Sequence, residues 1–153
     1  MTPKVLVLEA VAAMFINFDP TAAEQLLAPD YIQHNPGVPT GTAPILGFIP
    51  GLQESGIEVE THRVIAEGDM VVLHTTYNNA QAFGGDTLVG FDVFRVEHGK
   101  VAEHWDNLTP ITPANPSGHT QTDGPTEITD LDKRSENKAL VTGFVETILK
   151  AGE

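Results

Sequence analysis

The chain has 153 residues, 21 of them acidic against 8 basic, a formal net charge of −13, and no cysteine. Its length suits one domain, which buries roughly 70% of its extended surface and needs no covalent staple. Without cysteine there are no disulfides or thiolate metal sites, and the composition is that expected of a cytoplasmic protein. The acidic excess argues against nucleic acid and anionic membranes as partners, because affinity for phosphates comes from basic side chains that neutralise them. No stretch reaches the roughly 20 apolar residues of a membrane span. Glu9 interrupts the apolar N-terminal run and no cleavage pattern comes after it, so no secretory leader is expected either.

Thr2-Pro3 reads as a helix start with proline in the first turn. Val5, Leu8, Val11, Ala12, Phe15 and Ile16 then recur at helical spacing, which predicts one buried face. Asp19-Pro20 ends this helix and Pro20 to Leu27 begins a shorter one. Tyr31 to Gly41, with two prolines and two glycines, reads as a loop or a brief strand. Thr42 to Gln53 is a third helix with Ile45, Phe48, Ile49 and Leu52 facing inward, bent at Pro50.

The period then changes from about four to two. Ile57–Ile65 and Met70–Tyr77 flank Glu67-Gly68, and Thr87–Val96 and Lys100–Leu108 flank His98-Gly99, which predicts two antiparallel hairpins joined through Asn78–Gly85. Three helices followed by a meandering sheet make the fold class α+β, a curved sheet wrapped on the helices with one open mouth. Residues 111–133, rich in Pro, Thr, Gly and Asp, form an extended linker. Residues 134–153 return to helix, with Leu140, Val141, Phe144, Val145, Ile148 and Leu149 on an apolar stripe that must dock on its own or a partner chain. The spacing of Lys4-Val-Leu-Val and Lys138-Ala-Leu-Val is echoed between the first and last helices, as at the start of a second repeat.

Tyr31-Ile-Gln-His-Asn-Pro36, Phe91-Asp-Val-Phe-Arg-Val96, Gly99-Lys-Val101 and Glu103-His-Trp-Asp106 together resemble the SnoaL-like, polyketide-cyclase-like branch of the NTF2-like superfamily. The resemblance covers about residues 3 to 110, so residues 1–110 are read as one such domain. It implies a cone, with a bent antiparallel sheet closed by N-terminal helices around an apolar pocket. It also implies a homodimer formed through the sheet. Members of this superfamily include cyclases, isomerases, epoxide hydrolases, dehydratases and non-catalytic binders, so the fold alone does not select a reaction. In the cyclases an acid/base aspartate comes after the tryptophan of the last strand. Leu108 stands at that place here, and Asp106, two residues nearer the turn, is its substitute.

Side chains alternate along a strand, so Ala102, His104, Asp106 and Leu108 share one face while Glu103, Trp105 and Asn107 share the other. A bulged turn at Gly99 would set Asp92 opposite His104, whereas a strict two-residue turn would set it opposite Trp105; the Glu-His-Gly-Lys turn favours the bulged form. A histidine bonded to a carboxylate is held in one tautomer, ready to take a proton α to a carbonyl or to activate water. Asp92, His104 and His34 are therefore the predicted catalytic residues, with His34 and Tyr31 as candidate donors to an oxyanion. Tyr31, Phe94, Trp105, Asp106, Leu108 and His74 are the predicted pocket residues, and His62, His98 and His119 are read as facing solvent.

His34, His104, Asp92 and Asp106 form a set of ligand types that iron or zinc accepts. No His-X-X-X-His or Glu-X-X-His spacing supports it, so neither metal nor other cofactor is expected. No glycine-rich loop opens a helix after a strand, which leaves nucleotides out. The function expected is cofactor-independent acid/base chemistry of cyclase, isomerase or aldol-lyase type on a small carbonyl compound. The alternatives are a domain that binds an apolar ligand without turnover and an epoxide-type hydrolase. In the last, Arg95 would point away from Asp92, because the two are an odd number of residues apart on the strand.

Overall fold

The computed structural model describes residues 1–152; Glu153, the last residue of the expected 134–153 helical segment, lies outside them. Helix α1 (Pro3–Phe15) starts at Thr2, whose hydroxyl accepts from the Val5 N–H, and α2 (Pro20–Leu26) starts at Asp19, whose carboxylate accepts from the Ala22 N–H. Each cap satisfies an N–H that the first turn leaves without a partner. Helix α3 runs Thr42–Ser55 and ends on Gly56, whose left-handed backbone (φ 66°) closes the last turn.

The chain contributes five strands: β1 (Leu27–Gln33) before α3, then β2 (Glu58–Glu67), β3 (Met70–Asn78), β4 (Thr87–Glu97) and β5 (Lys100–Pro110). They form a curled, unclosed sheet in the order β1-β5-β4-β3-β2. β2-β3-β4-β5 is an antiparallel meander, as the two hairpins predict. β1 joins its far edge parallel to β5. That strand is the main departure from the expected topology. Tyr31 to Gln33 belongs to the sheet, and the chain turns only after Gln33.

The helices cover the inner face of the sheet. Val7, Ala10, Val11 and Met14 of α1, with Ile45 and Ile49 of α3, pack on Val71, Leu73, Phe94 and Val101 of the strands. Burying one such side chain contributes about 1.5–3 kcal/mol. The buried face of α1 is not the expected one, since Val5 and Ile16 are exposed while Leu6, Val7, Ala10, Ala13 and Met14 are buried. This helix is apolar nearly all round, so periodicity alone does not choose its inward side.

On the outer face, residues 112–125 run back across the sheet as a strap. Arg63 of β2 grips it, donating to the carbonyls of Thr122, Asp123 and Pro125 at 3.2, 2.6 and 3.0 Å. The same guanidinium donates to Nδ1 of His74 at 3.0 Å, and the His74 ring stacks on Phe91 with centroids 4.6 Å apart. His74 is thus a buried residue of the outer face, not of the pocket. His62 is not free in solvent either: it bonds the Thr76 hydroxyl at 2.8 Å and packs edge-on to His74.

Burial, with the nearby His62 and Arg63 charges, holds the His74 imidazole below its usual value of 6.5. Below about pH 6.5 the unfolded chain therefore takes up a proton that the folded chain resists, so stability falls as pH drops. Thermal melts at pH 7.5 and 5.5 are expected to show a smaller pH effect in His74→Gln than in the wild type. An equal drop in both would contradict this account of His74.

Candidate active site

The inner face of the sheet and the helices enclose a cavity lined by Met14, Tyr31, Tyr77, Asp92, Phe94, His104, Asp106 and Leu108, among others. Its volume is about 40 Å³, room for a few waters at roughly 10–15 Å³ each. The unbranched Met14 in its apolar wall can shift to admit a larger ligand.

The geometry starts at the β4–β5 turn. His98 and Gly99 both take positive φ (49° and 73°), the backbone of a tight two-residue hairpin, and Glu97 pairs with Lys100. The bulge comes later, where Val96 pairs with Val101 and Arg95 with Glu103, leaving Ala102 as the extra residue. The shift sets Asp92 directly opposite Asp106, and His104 opposite Phe94. The expected bulge at Gly99, with Asp92 squarely across from His104, is corrected accordingly. Alternation still keeps His104 and Asp106 on the inner face, so His104 reaches Asp92 on the diagonal, Nε2 to Oδ1 at 3.3 Å.

Hydrogen bonds tie this pair to its neighbours. The Tyr77 hydroxyl donates to Oδ2 of Asp92 at 2.8 Å. Nδ1 of His104 lies 2.8 Å from Oε1 of Gln33, and that same oxygen accepts from the Asn35 backbone N–H at 3.0 Å. A backbone N–H can only donate, so the Gln33 amide has one orientation and its oxygen faces His104. His104 must then carry a proton on Nδ1. Nε2 consequently presents its lone pair to a carboxylate oxygen across 3.3 Å, where a shared proton or a bound cation would satisfy both.

Asp106 is the second carboxylate. Nδ2 of Asn35 donates to its Oδ2 at 2.6 Å, while Oδ1 has no hydrogen-bond partner among the described residues. Two like charges opposite each other on neighbouring strands are unfavourable, and Asp106 lies directly opposite Asp92. The Tyr31 hydroxyl accepts from Nε2 of Gln33 at 3.3 Å, and its own hydrogen remains available to the cavity. Burial first, then the Asp106 and Asp92 charges, push the Tyr31 phenol far above its usual range. The buried Tyr77 phenol moves the same way, through burial first and then the Asp92 charge. Both stay protonated donors at any ordinary pH.

Ligand atoms of Asp92, His104 and Asp106 all lie within 4.8 Å of one another. This trio has the donor types of a divalent-cation site, and His34, the fourth member of the expected set, is not part of it. His34 lies on the outer face, where its ring stacks on Trp105 at 4.9 Å and Nε2 bonds Glu103 at 2.8 Å. Arg95 bonds the other oxygen of Glu103 at 2.8 Å, and the hydrogen bonds from His34 and Arg95 hold that carboxyl below its usual range. His34 and Trp105 therefore leave the expected site; Tyr31, Phe94, Asp106 and Leu108 are in it. The side chains that the sequence did not single out are Gln33, Asn35 and Tyr77. Tyr31, Gln33 and Asn35 keep a period of two, a signal that the reading of this segment as a loop or a brief strand left unused.

The family model of the SnoaL-like domain matches residues 8–104. No curated protein matches the chain. Among solved structures, IdmH from Streptomyces antibioticus, a candidate polyketide cyclase, is similar at 19% identity and TM-score 0.59, over 71% of this chain and 92% of that one. A candidate ketosteroid isomerase from Kribbella flavida is similar at 19% identity and TM-score 0.59, over 84% and 92% of the two chains. An LEH-like epoxide hydrolase of M. tuberculosis is similar at 20% identity and TM-score 0.56, over 70% and 82%. At such identities the likeness shows the NTF2-like fold alone.

Proposed function

Because the chain belongs to the SnoaL-like family, we propose that it is an acid/base catalyst of isomerase, cyclase or aldol-lyase type acting on a small carbonyl compound. The observation that carries this reading is the Gln33 amide, whose orientation fixes the His104 tautomer and turns Nε2 toward Asp92, beside a carboxylate with one open oxygen. Asp106 removes a proton from the carbon next to the carbonyl through that open oxygen. The Tyr31 O–H donates to the oxygen on which charge develops, as a fixed donor in a site poor in water. The Asp92–His104 pair returns a proton to the product. Proton transfer of this kind contributes about 10²–10⁴ in rate. Tyr77 and Asn35 hold the two carboxylates in place.

The expected result is enzyme-dependent deuterium incorporation next to the carbonyl when small ketones and β-hydroxy ketones are incubated in D₂O and monitored by NMR. The measurement reads proton abstraction whatever the later steps are. Exchange that never exceeds the buffer rate across such a panel would reject the carbonyl reading. Adding a chelator is expected to leave the exchange rate unchanged; loss of exchange would move the Asp92, His104 and Asp106 trio to metal chemistry.

The hydrolytic reading draws on the same open oxygen of Asp106, which is placed to activate water. The arginine that the epoxide-type arrangement would need is not between the carboxylates, because Arg95 is tied to Glu97 and Glu103 on the outer face. The side chain bonded to Asp92 is His104 instead, and the carbonyl reading is preferred for that reason.

A further inference from the structure

Asp92, His104 and Asp106 are each held at one end by a neutral neighbour. Oδ2 of Asp92 accepts from the Tyr77 hydroxyl at 2.8 Å, and Oδ2 of Asp106 accepts from Nδ2 of Asn35 at 2.6 Å. The Nδ1–H of His104 donates to Oε1 of Gln33 at 2.8 Å. The ends left over are Oδ1 of Asp92, Oδ1 of Asp106 and Nε2 of His104, and all three are lone-pair atoms. Among the described residues no side chain donates a hydrogen bond to any of them, and Nε2 meets only the Asp92 oxygen at 3.3 Å. The Asp92 and His104 side chains are 4% and 10% exposed, so little water reaches them. Acceptors gathered in a buried place without a donor are costly.

A doubly charged cation answers all three and balances the two carboxylates. Zinc holds imidazole nitrogen and carboxylate oxygen at about 2.0–2.2 Å, so two ligands at tetrahedral corners are about 3.3–3.6 Å apart. Nε2 of His104 and Oδ1 of Asp92 are already at 3.3 Å. Ligand atoms of the whole trio lie within 4.8 Å of one another, and rotation of the Asp106 carboxylate closes the rest. The imidazole favours zinc-like ions over magnesium and calcium, which take oxygen ligands. Three protein ligands leave a fourth position for water, for which the cavity of about 40 Å³ has room. Gln33, Tyr77 and Asn35 supply the hydrogen bonds that ordinarily fix metal-binding imidazoles and carboxylates from behind.

We propose that Asp92, His104 and Asp106 bind one zinc-like divalent cation, which takes the place of the shared proton and acts as an inhibitor, not as a cofactor. The binding stands on the geometry alone. The inhibition rests on the acid/base reading, because the ion occupies both the open oxygen of Asp106 and Nε2 of His104. The chelated protein is then the active form, in keeping with exchange that survives a chelator. Competing sites are poor. The chain has no cysteine, Arg63 sits against His74, and Arg95 shares Glu103 with His34. His119 and Asp123 on the strap offer two ligands at the exposed surface.

The test uses the full-length protein, stripped with a chelator and then freed of it. Zn²⁺ is titrated by calorimetry and Co²⁺ by visible absorption. One ion per chain is expected, with the spectrum of four- or five-coordinate Co²⁺ and a raised melting temperature. Asp106→Asn is expected to abolish this binding. Gln33→Ala keeps all three ligands and is expected to weaken it about 10–100-fold, the usual worth of a group that orients a ligand. His119→Gln is expected to change nothing. Absence of saturable binding overturns the proposal, as does binding that survives Asp106→Asn or is lost in His119→Gln. Zinc held by the trio while deuterium exchange runs at its full rate would reject Asp106 as the base and leave the ion site standing.

Discussion

Replacing Asp92 with asparagine is expected to lower the exchange rate by about 10²–10⁴-fold, the usual worth of a positioned proton-transfer group, while leaving the fold intact. The hydrogen bonds explain why both should hold. The asparagine oxygen still accepts from the Tyr77 hydroxyl, and its NH₂ donates to Nε2 of His104, so no buried group is orphaned. The shared proton is what disappears. His104, already protonated on Nδ1 by its bond to Gln33, becomes a fixed neutral ring with no proton to return. Steady-state kinetics and a thermal melt on the same preparation separate the two effects. An unchanged rate would reject Asp92 as a catalytic residue. A melting temperature lower by many degrees would make it a structural one.

The second large effect is on stability. Gly90 pairs with Leu108 on β5, and a Cβ built at Gly90 meets the carbonyl oxygen of Asn107 at 2.2 Å and Cδ2 of Leu108 at 2.8 Å. The Leu108 side chain can rotate, but a backbone carbonyl in a paired strand cannot move without breaking the ladder. Gly90→Ala is expected to cost about 3 kcal/mol, the upper part of the range for overfilling a packed site. That corresponds to roughly 6–12 °C in melting temperature for a chain of this size. Gly47→Ala is the control: it is an exposed position in α3 where an added Cβ meets nothing within 4 Å. There the expected change is a gain of up to about 1 kcal/mol from helix propensity. Denaturant unfolding of both variants is the check, and a Gly90→Ala loss below about 1 kcal/mol would mean that β4 and β5 are freer to slide than their register implies.

That register bears on how the cavity is built. Asp92, His104 and Asp106 reach one place because β5 carries one extra residue at Ala102 and because the two strands alternate in phase beyond it. The polar ring is completed from β1, an edge strand whose residues Tyr31, Gln33 and Asn35 meet β5 only through long-range parallel pairing. Asn35 lies just past the end of that strand and still binds Asp106. The cavity is therefore a product of four strands and of the helices packed on them, and of no single motif.

Much of this was legible in the chain. The hairpins, the helices and the α+β class come from the change of hydrophobic period and from the glycine turns, which are local properties. The same alternation placed Asp92, Phe94, His104, Asp106 and Leu108 on one face, and the motif resemblance carried the family. Long-range pairing decided the rest. Whether His34 entered the cavity depended on the direction in which β1 joined β5, and the parallel register turned Gln33 inward and His34 outward onto Trp105. Whether Asp92 faced Trp105 or Asp106 depended on a bulge at Ala102, a residue with no turn chemistry to announce it. His74 alternated to the outer face because its cross-strand partner is Phe91, one residue from Asp92. Local spacing determines which side chains share a strand face. Only the packing of distant segments determines which of those faces meet, because the energy that selects register comes from contacts between residues far apart in the chain.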